Sequence, residues 1–194
     1  MRTLIYTMAL AVSVAACNSP ETSENGATAQ TGTPSYDAEY ESNKAAKLEQ
    51  ILDLEEQVQA ETTGQDIKLR QRLLVSYADY ANYHHEEPEV PEFLFRSAKL
   101  AVEIGKPRKA IEHLVNLHDG YPKYERRTEA AFMIAFIYES VLNDRIRAEE
   151  YYNKVIEFYP ESIWAEDAKA SLKLLYLTDE EKIKMFMEQN ANVK

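Results

Sequence analysis

Arg127–Pro160 reads RTEAAFMIAFIYESVLNDRIRAEEYYNKVIEFYP, and this stretch decides the fold. Ala131, Ile134, Ala135 and Tyr138 recur at i, i+3, i+4 and i+7, the spacing of one face of an α-helix. Asn143 and Asp144 interrupt that face, and Asp144 is suited to accept backbone N–H bonds as an N-cap. Ala148, Tyr152 and Val155 then share one side of a second helix. Pro160 stops it, because proline has no N–H for a helix interior. The stretch predicts two amphipathic helices joined by a tight turn.

The same layout occurs one step earlier. Phe93–Pro122 reads FLFRSAKLAVEIGKPRKAIEHLVNLHDGYP. Ala98 stands for Ala135, Ala101 for Tyr138, Ala110 for Ala148, Leu114 for Tyr152 and Pro122 for Pro160. The offset is 37 residues in the first helix and 38 in the second. Gly105 suits a helix C′ position, where φ is positive, and Pro107 suits the first residue of the next helix. Leu73, Tyr77 and Tyr80 lie one period before Ala110, Leu114 and Leu117, but His85 replaces the closing proline, and Pro88 and Pro91 follow. After Pro160, Ala165, Ala168, Leu172 and Leu175 start a last helix pair, with Lys169 at its small-residue position. Thr178 and Glu181 form a capping box for the second helix of that pair.

The order of small residue, aromatic, then alanine, tyrosine and proline resembles a tetratricopeptide (TPR) unit, whose period is about 34 residues. Close helix approach requires a small residue at the crossing. The resemblance implies an all-α, TPR-like helical-hairpin solenoid with two clear repeats flanked by two degenerate helix pairs. Such pairs share a core and leave a groove for a protein or peptide segment. By the same resemblance, the groove is lined by Phe95, Lys99, Val102, Phe132, Phe136 and Glu139. Phe132 and Phe136, four residues apart, read either as a partner-binding strip or as a face covered by the C-terminal helix through Met185, Phe186 and Met187.

The N-terminus carries a second signal. Residues 1–16 combine Arg2 with a mostly apolar run from Leu4 to Val14, the pattern of a signal peptide and too short to cross a bilayer. Val14-Ala15-Ala16-Cys17 resembles the bacterial lipobox, which implies cleavage before Cys17 and its acylation, including by palmitate. Cys17 is the only cysteine, so the fold relies on core packing without an intrachain disulfide. Asn18 favours the outer membrane by the enterobacterial sorting rule, while Glu21 and Glu24 fit a surface-export signal. The periplasmic and surface faces both stay open.

Residues 17–35 hold the lipidated cysteine and a tether with no large apolar residue, a composition that favours disorder. Residues 36–64 form an N-terminal helix and turn, with Leu48, Ile51, Leu52 and Val58 on its apolar face and Glu61-Thr62-Thr63-Gly64 as the break. That helix reads either as the first helix of the array, which its short heptad run favours, or as an oligomerising coiled coil. Residues 65–194 make up the solenoid. The net charge of −11 repels nucleic acid and anionic lipid, so attachment to a membrane falls to Cys17. Arg108-Lys109 and Arg126-Arg127 are the adjacent basic pairs, each near an inter-helix turn.

No phosphate loop, nucleophile elbow or zincin motif occurs. His113 and His118 are five residues apart and diverge on a helix, and His84-His85 precedes Glu86-Glu87 in a loop. The sequence therefore points to no catalytic residue, metal or cofactor, and to binding as the activity. Over about residues 65–176 the chain is similar to the BamD-type lipoproteins of β-barrel assembly and to CpoB (YbgF)-type envelope proteins. That resemblance implies a lipid-anchored scaffold in the cell envelope that serves outer-membrane assembly. Alternatives are a self-associating structural lipoprotein and a Tol–Pal-linked coordinator.

Overall fold

A computed structural model describes residues 36–191; the signal peptide, Cys17 and the tether lie outside the described residues. The described chain is all-α, with eight helices and no strand among those residues. They are α1 (Tyr36–Ala60), α2 (Ile67–Tyr83), α3 (Val90–Glu103), α4 (Pro107–Gly120), α5 (Arg127–Ser140), α6 (Arg145–Phe158), α7 (Ile163–Leu174) and α8 (Asp179–Ala191). From α1 to α7 each helix packs on its chain neighbour, and α5 also touches α7.

Local chemistry sets the boundaries. At the end of α3, Gly105 takes φ 71°, Lys106 N–H donates to the Ala101 carbonyl at 2.7 Å, and Gly105 N–H donates to Val102 at 3.0 Å. This pair of bonds is a Schellman cap, which needs a left-handed residue at its centre. Asn143 fills the same role after α5 with φ 52°. There Leu142 N–H reaches the Ile137 carbonyl at 3.0 Å and Asp144 N–H reaches Tyr138 at 2.8 Å. The second bond spans one residue more than its counterpart after α3. That extra residue accounts for the change in offset from 37 to 38 between the first and second helices of the two hairpins.

Asp144 caps α6 by accepting from Arg147 N–H at 3.1 Å, as expected. Thr178 and Glu181 close the capping box of α8, with bonds of 2.7 and 3.2 Å. Asp66 and Ser162 cap α2 and α7 in the same way. Helix α3 starts earlier than its apolar pattern suggested, at Val90, because Pro91 fits the first turn.

The core falls into two clusters. The larger runs from Ile51 and Leu54 of α1 through Tyr80, Phe95, Leu114 and Leu117 to Ile137. The smaller joins Ala135, Ala148, Tyr152 and Val155 to Ala168 and Leu175. Ala98, Ala110, Ala135 and Ala148 are all fully buried, at matching places in the two hairpins. In the last pair the buried small residue is Ala168, and Lys169 beside it is exposed.

Helix α1 belongs to this core and uses its apolar face against its own chain. One of its expected core positions is corrected. Leu52 is 62% exposed, while Leu54 is fully buried. A terminal helix that packs chiefly on one neighbour needs only a narrow stripe, and Ile51, Leu54 and Val58 supply it.

Candidate functional site

The first helices of the hairpins are tied together by a ladder of charge. Arg96 of α3 reaches Glu55 of α1 at 2.9 Å and Glu92 of its own helix at 2.8 Å. Arg126, at the start of α5, pairs with Glu129 at 2.8 Å and approaches Glu92 at 3.8 Å. Tyr124 donates to Glu92, and Tyr77 donates to Glu55. Burial and the acceptor carboxylates push both phenols well above their ordinary value, so each remains a donor.

This ladder corrects part of the expected groove. Phe95 is 0% exposed, and the Arg126 guanidinium lies over its ring at 3.7 Å. It is a core residue roofed by a cation, not a residue of an open surface. Lys99 is exposed, but it lines a depression among α1, α2 and α3 with Glu55 and Arg96. Val102 is half-buried against the larger core cluster.

The other expected residues lie on α5. Phe132 is half-buried, its ring 5.4 Å from that of Tyr152 and 5.2 Å from that of Trp164. Its cover therefore comes from α6 and α7. Of the α8 residues that one of the two readings places over it, Phe186 and Met187 are 49% and 69% exposed. Phe136 is 48% exposed. Glu139 accepts from Tyr152 Oη at 2.6 Å, which locks α5 to α6. Of the aromatic strip, Phe136 is the member left open.

A different feature is more enclosed. Helices α4, α5 and α6 bound a cavity of about 290 Å³ with apolar walls from Val115, Ile134, Val155 and Phe158. At its rim Tyr159 Oη lies 2.7 Å from His118 Nε2, and His118 Nδ1 lies 2.7 Å from Asp119 Oδ1. Burial raises the Tyr159 phenol above its ordinary value, which keeps its hydroxyl protonated beside Nε2, while Nδ1 faces Asp119. Arg127 Nε fixes the corner by donating to the His118 carbonyl at 2.7 Å. The volume matches an apolar side chain or small ligand. Sequence spacing did not reveal this cavity, because His118 and Tyr159 are 41 residues apart.

The remaining histidines are structural in their contacts. His113 Nδ1 lies 2.7 Å from Ser97 Oγ, and both residues are buried. His84 is 2% exposed, with Nε2 3.2 Å from Asn43 and its ring against Tyr40 and Tyr80. His85 is exposed, so the two adjacent histidines point apart. No group of three or more metal-ligand side chains converges among the described residues.

Burial holds His113 below the ordinary 6.5 of imidazole; at His84 burial does the same, and Lys47 adds to it. The unfolded chain then binds more protons than the folded one below pH 6.5, and stability falls as pH drops through that value. Glu92 and Glu61 are held below the usual carboxylate value, Glu61 down to about 2. Their losses come only at pH below 4.5. The urea midpoint should therefore fall between about pH 7.5 and about pH 5.5. A midpoint unchanged over that interval would contradict the buried neutral histidines.

No family model matches the chain, and neither a curated protein nor a solved structure matches it.

Proposed function

We propose that the chain is a lipid-anchored, TPR-like scaffold that docks proteins in the bacterial cell envelope, as an accessory to outer-membrane assembly. One observation carries the reading. Two successive hairpins, α3–α4 and α5–α6, are each built from two fourteen-residue helices and keep fully buried alanines at matching places. Repeated pairs that lean on their neighbours favour an extended binding surface over a closed active site. The lipobox-like Val14-Ala15-Ala16-Cys17 supports the anchor, with acyl chains on Cys17 holding the array at the membrane.

Self-association through residues 36–60 is the weaker reading, because Ile51 and Leu54 are already buried within the chain. Phe136 is the apt probe of docking. Replacing Phe132 would also disturb Trp164 and Tyr152, whereas Phe136 is half exposed.

The test is crosslinking and recovery of the tagged full-length chain from its own membranes, with the partners identified by mass spectrometry. The tagged chain should sediment with membranes and bring down envelope proteins, barrel-assembly components among them. Phe136→Ser should cut that recovery and leave helicity unchanged. Equal recovery by the variant would remove Phe136 from the docking surface. Tol–Pal components in place of assembly components would change the process served. Recovery of the chain alone would overturn the scaffold reading.

A further inference from the structure

Four arginines of this acidic chain are committed to carboxylates. Arg70, Arg96, Arg126 and Arg147 each hold one at 2.6–2.9 Å. One region gathers several unpaired cations. Lys47 of α1, Lys68 and Arg72 of α2, and Lys106 at the N-cap of α4 line a single open groove of about 580 Å³. Asp79 is the only carboxylate in its lining. Lys68, Arg72 and Lys106 form no ion pair among the described residues, and neither does Lys47, which lies over the Tyr83 ring at 4.9 Å.

Four cations facing one carboxylate create a local positive field on a chain whose net charge is −11. Unpaired like charges repel one another, so the cluster costs stability and is relieved by an anion. Lys106 also sits at the positive end of the α4 dipole. Between the cations lie Gln50, Gln71 and Ser76, whose side chains both donate and accept, and Val75, which is exposed. Amides and a hydroxyl set among cations suit a ligand that carries peptide groups as well as negative charge. A groove, unlike a protruding basic ridge, suits a chain more than a flat bilayer surface.

We infer that the α1–α2–α4 groove binds an acidic peptide segment of a partner protein, with Lys68 and Arg72 as its central cations. The inference is independent of the lipid anchor and of Phe136, which lies on α5. It stands beside the expected repulsion of nucleic acid and anionic lipid: the whole molecule repels anions at long range, while this groove attracts an acidic segment at contact distance.

The test uses the full-length chain carrying Cys17→Ser, which removes any acyl attachment, and fluorescein-labelled hexaglutamate read by fluorescence anisotropy. Hexaglutamate should bind at low salt and be released as salt rises from about 0.05 to about 0.5 M. Hexaglutamine should not bind. Lys68→Glu/Arg72→Glu should weaken hexaglutamate binding about tenfold or more, because each reversal turns attraction into repulsion. Lys123→Glu, an exposed lysine outside the groove, should bind as the parent does. Both substituted residues are exposed and unpaired, and thermal melting by circular dichroism checks that the variants fold.

Absence of hexaglutamate binding would overturn the inference, as would equal binding by the double variant or equal binding of hexaglutamine. Vesicles of equimolar phosphatidylglycerol and phosphatidylcholine form the last arm. If they are held by the parent chain and lost by the double variant while hexaglutamate is ignored, the groove is a lipid site and the peptide assignment fails.

Discussion

Phe95→Ala should lower the unfolding free energy by about 3–5 kcal/mol, the range for deleting a buried phenylalanine. Phe95 has no exposed surface, and its ring lies under the Arg126 guanidinium at 3.7 Å. Removing the ring leaves a void in the larger core cluster and takes away the surface on which Arg126 rests. Arg126 is also the cation between Glu92 and Glu129, so the ladder from α3 to α5 loses its fixed geometry in the same step. Urea unfolding followed by circular dichroism measures the loss directly, with the midpoint shifted and the slope unchanged. Phe136→Ala is the paired control. It sits half exposed on α5 and should change stability by about 0.5 kcal/mol or less. Equal costs for the two substitutions would mean that Phe95 is not a core residue, and the groove expected from sequence would regain it.

The contrast between these phenylalanines shows what the sequence reveals about this chain. The hairpins α3–α4 and α5–α6 were legible because their boundaries are written in local chemistry: Gly105, Pro107, Asp144 and Pro160 act on the backbone within a few residues. The buried alanines were legible for a similar reason, since helical period alone brings them to one face. Side-chain surroundings obey no such local rule. At the 37-residue offset Phe95 matches Phe132 and Phe136 matches Lys99, yet of these phenylalanines only Phe95 meets an arginine, from 31 positions away. Phe132 reads from sequence either as part of a binding strip or as covered by α8, and in the fold Trp164 of α7 lies against it. The groove of Lys47, Lys68, Arg72 and Lys106 escaped notice because its cations come from three helices. A search for adjacent basic pairs finds Arg108-Lys109 and Arg126-Arg127 instead, and Lys109 and Arg126 of those pairs are tied to neighbouring carboxylates.

Ala135→Leu should destabilise the chain by about 1–3 kcal/mol, because it forces an isobutyl group into a fully packed helix contact. Ala135 is 0% exposed and shares its core cluster with Ala148, Tyr152 and Val155 of α6. Tyr152 has little freedom to move aside, since its hydroxyl is bound to Glu139 at 2.6 Å and its ring packs on Phe132. The added volume must push α6 away from α5 or force side chains off their rotamers. For a domain of this size each kcal/mol shifts the melting temperature by about 2–4 °C, which scanning calorimetry resolves. Lys169→Leu separates packing from a general effect of added apolar bulk. Lys169 is exposed in α7, where Ala168 beside it is the buried small residue, so this substitution should change the melting temperature by about 1–2 °C at most. If Ala135→Leu proves as mild as Lys169→Leu, the helices of the hairpin do not meet closely at Ala135. The buried-alanine repeat would then lose its physical meaning, and with it the observation that carries the scaffold reading.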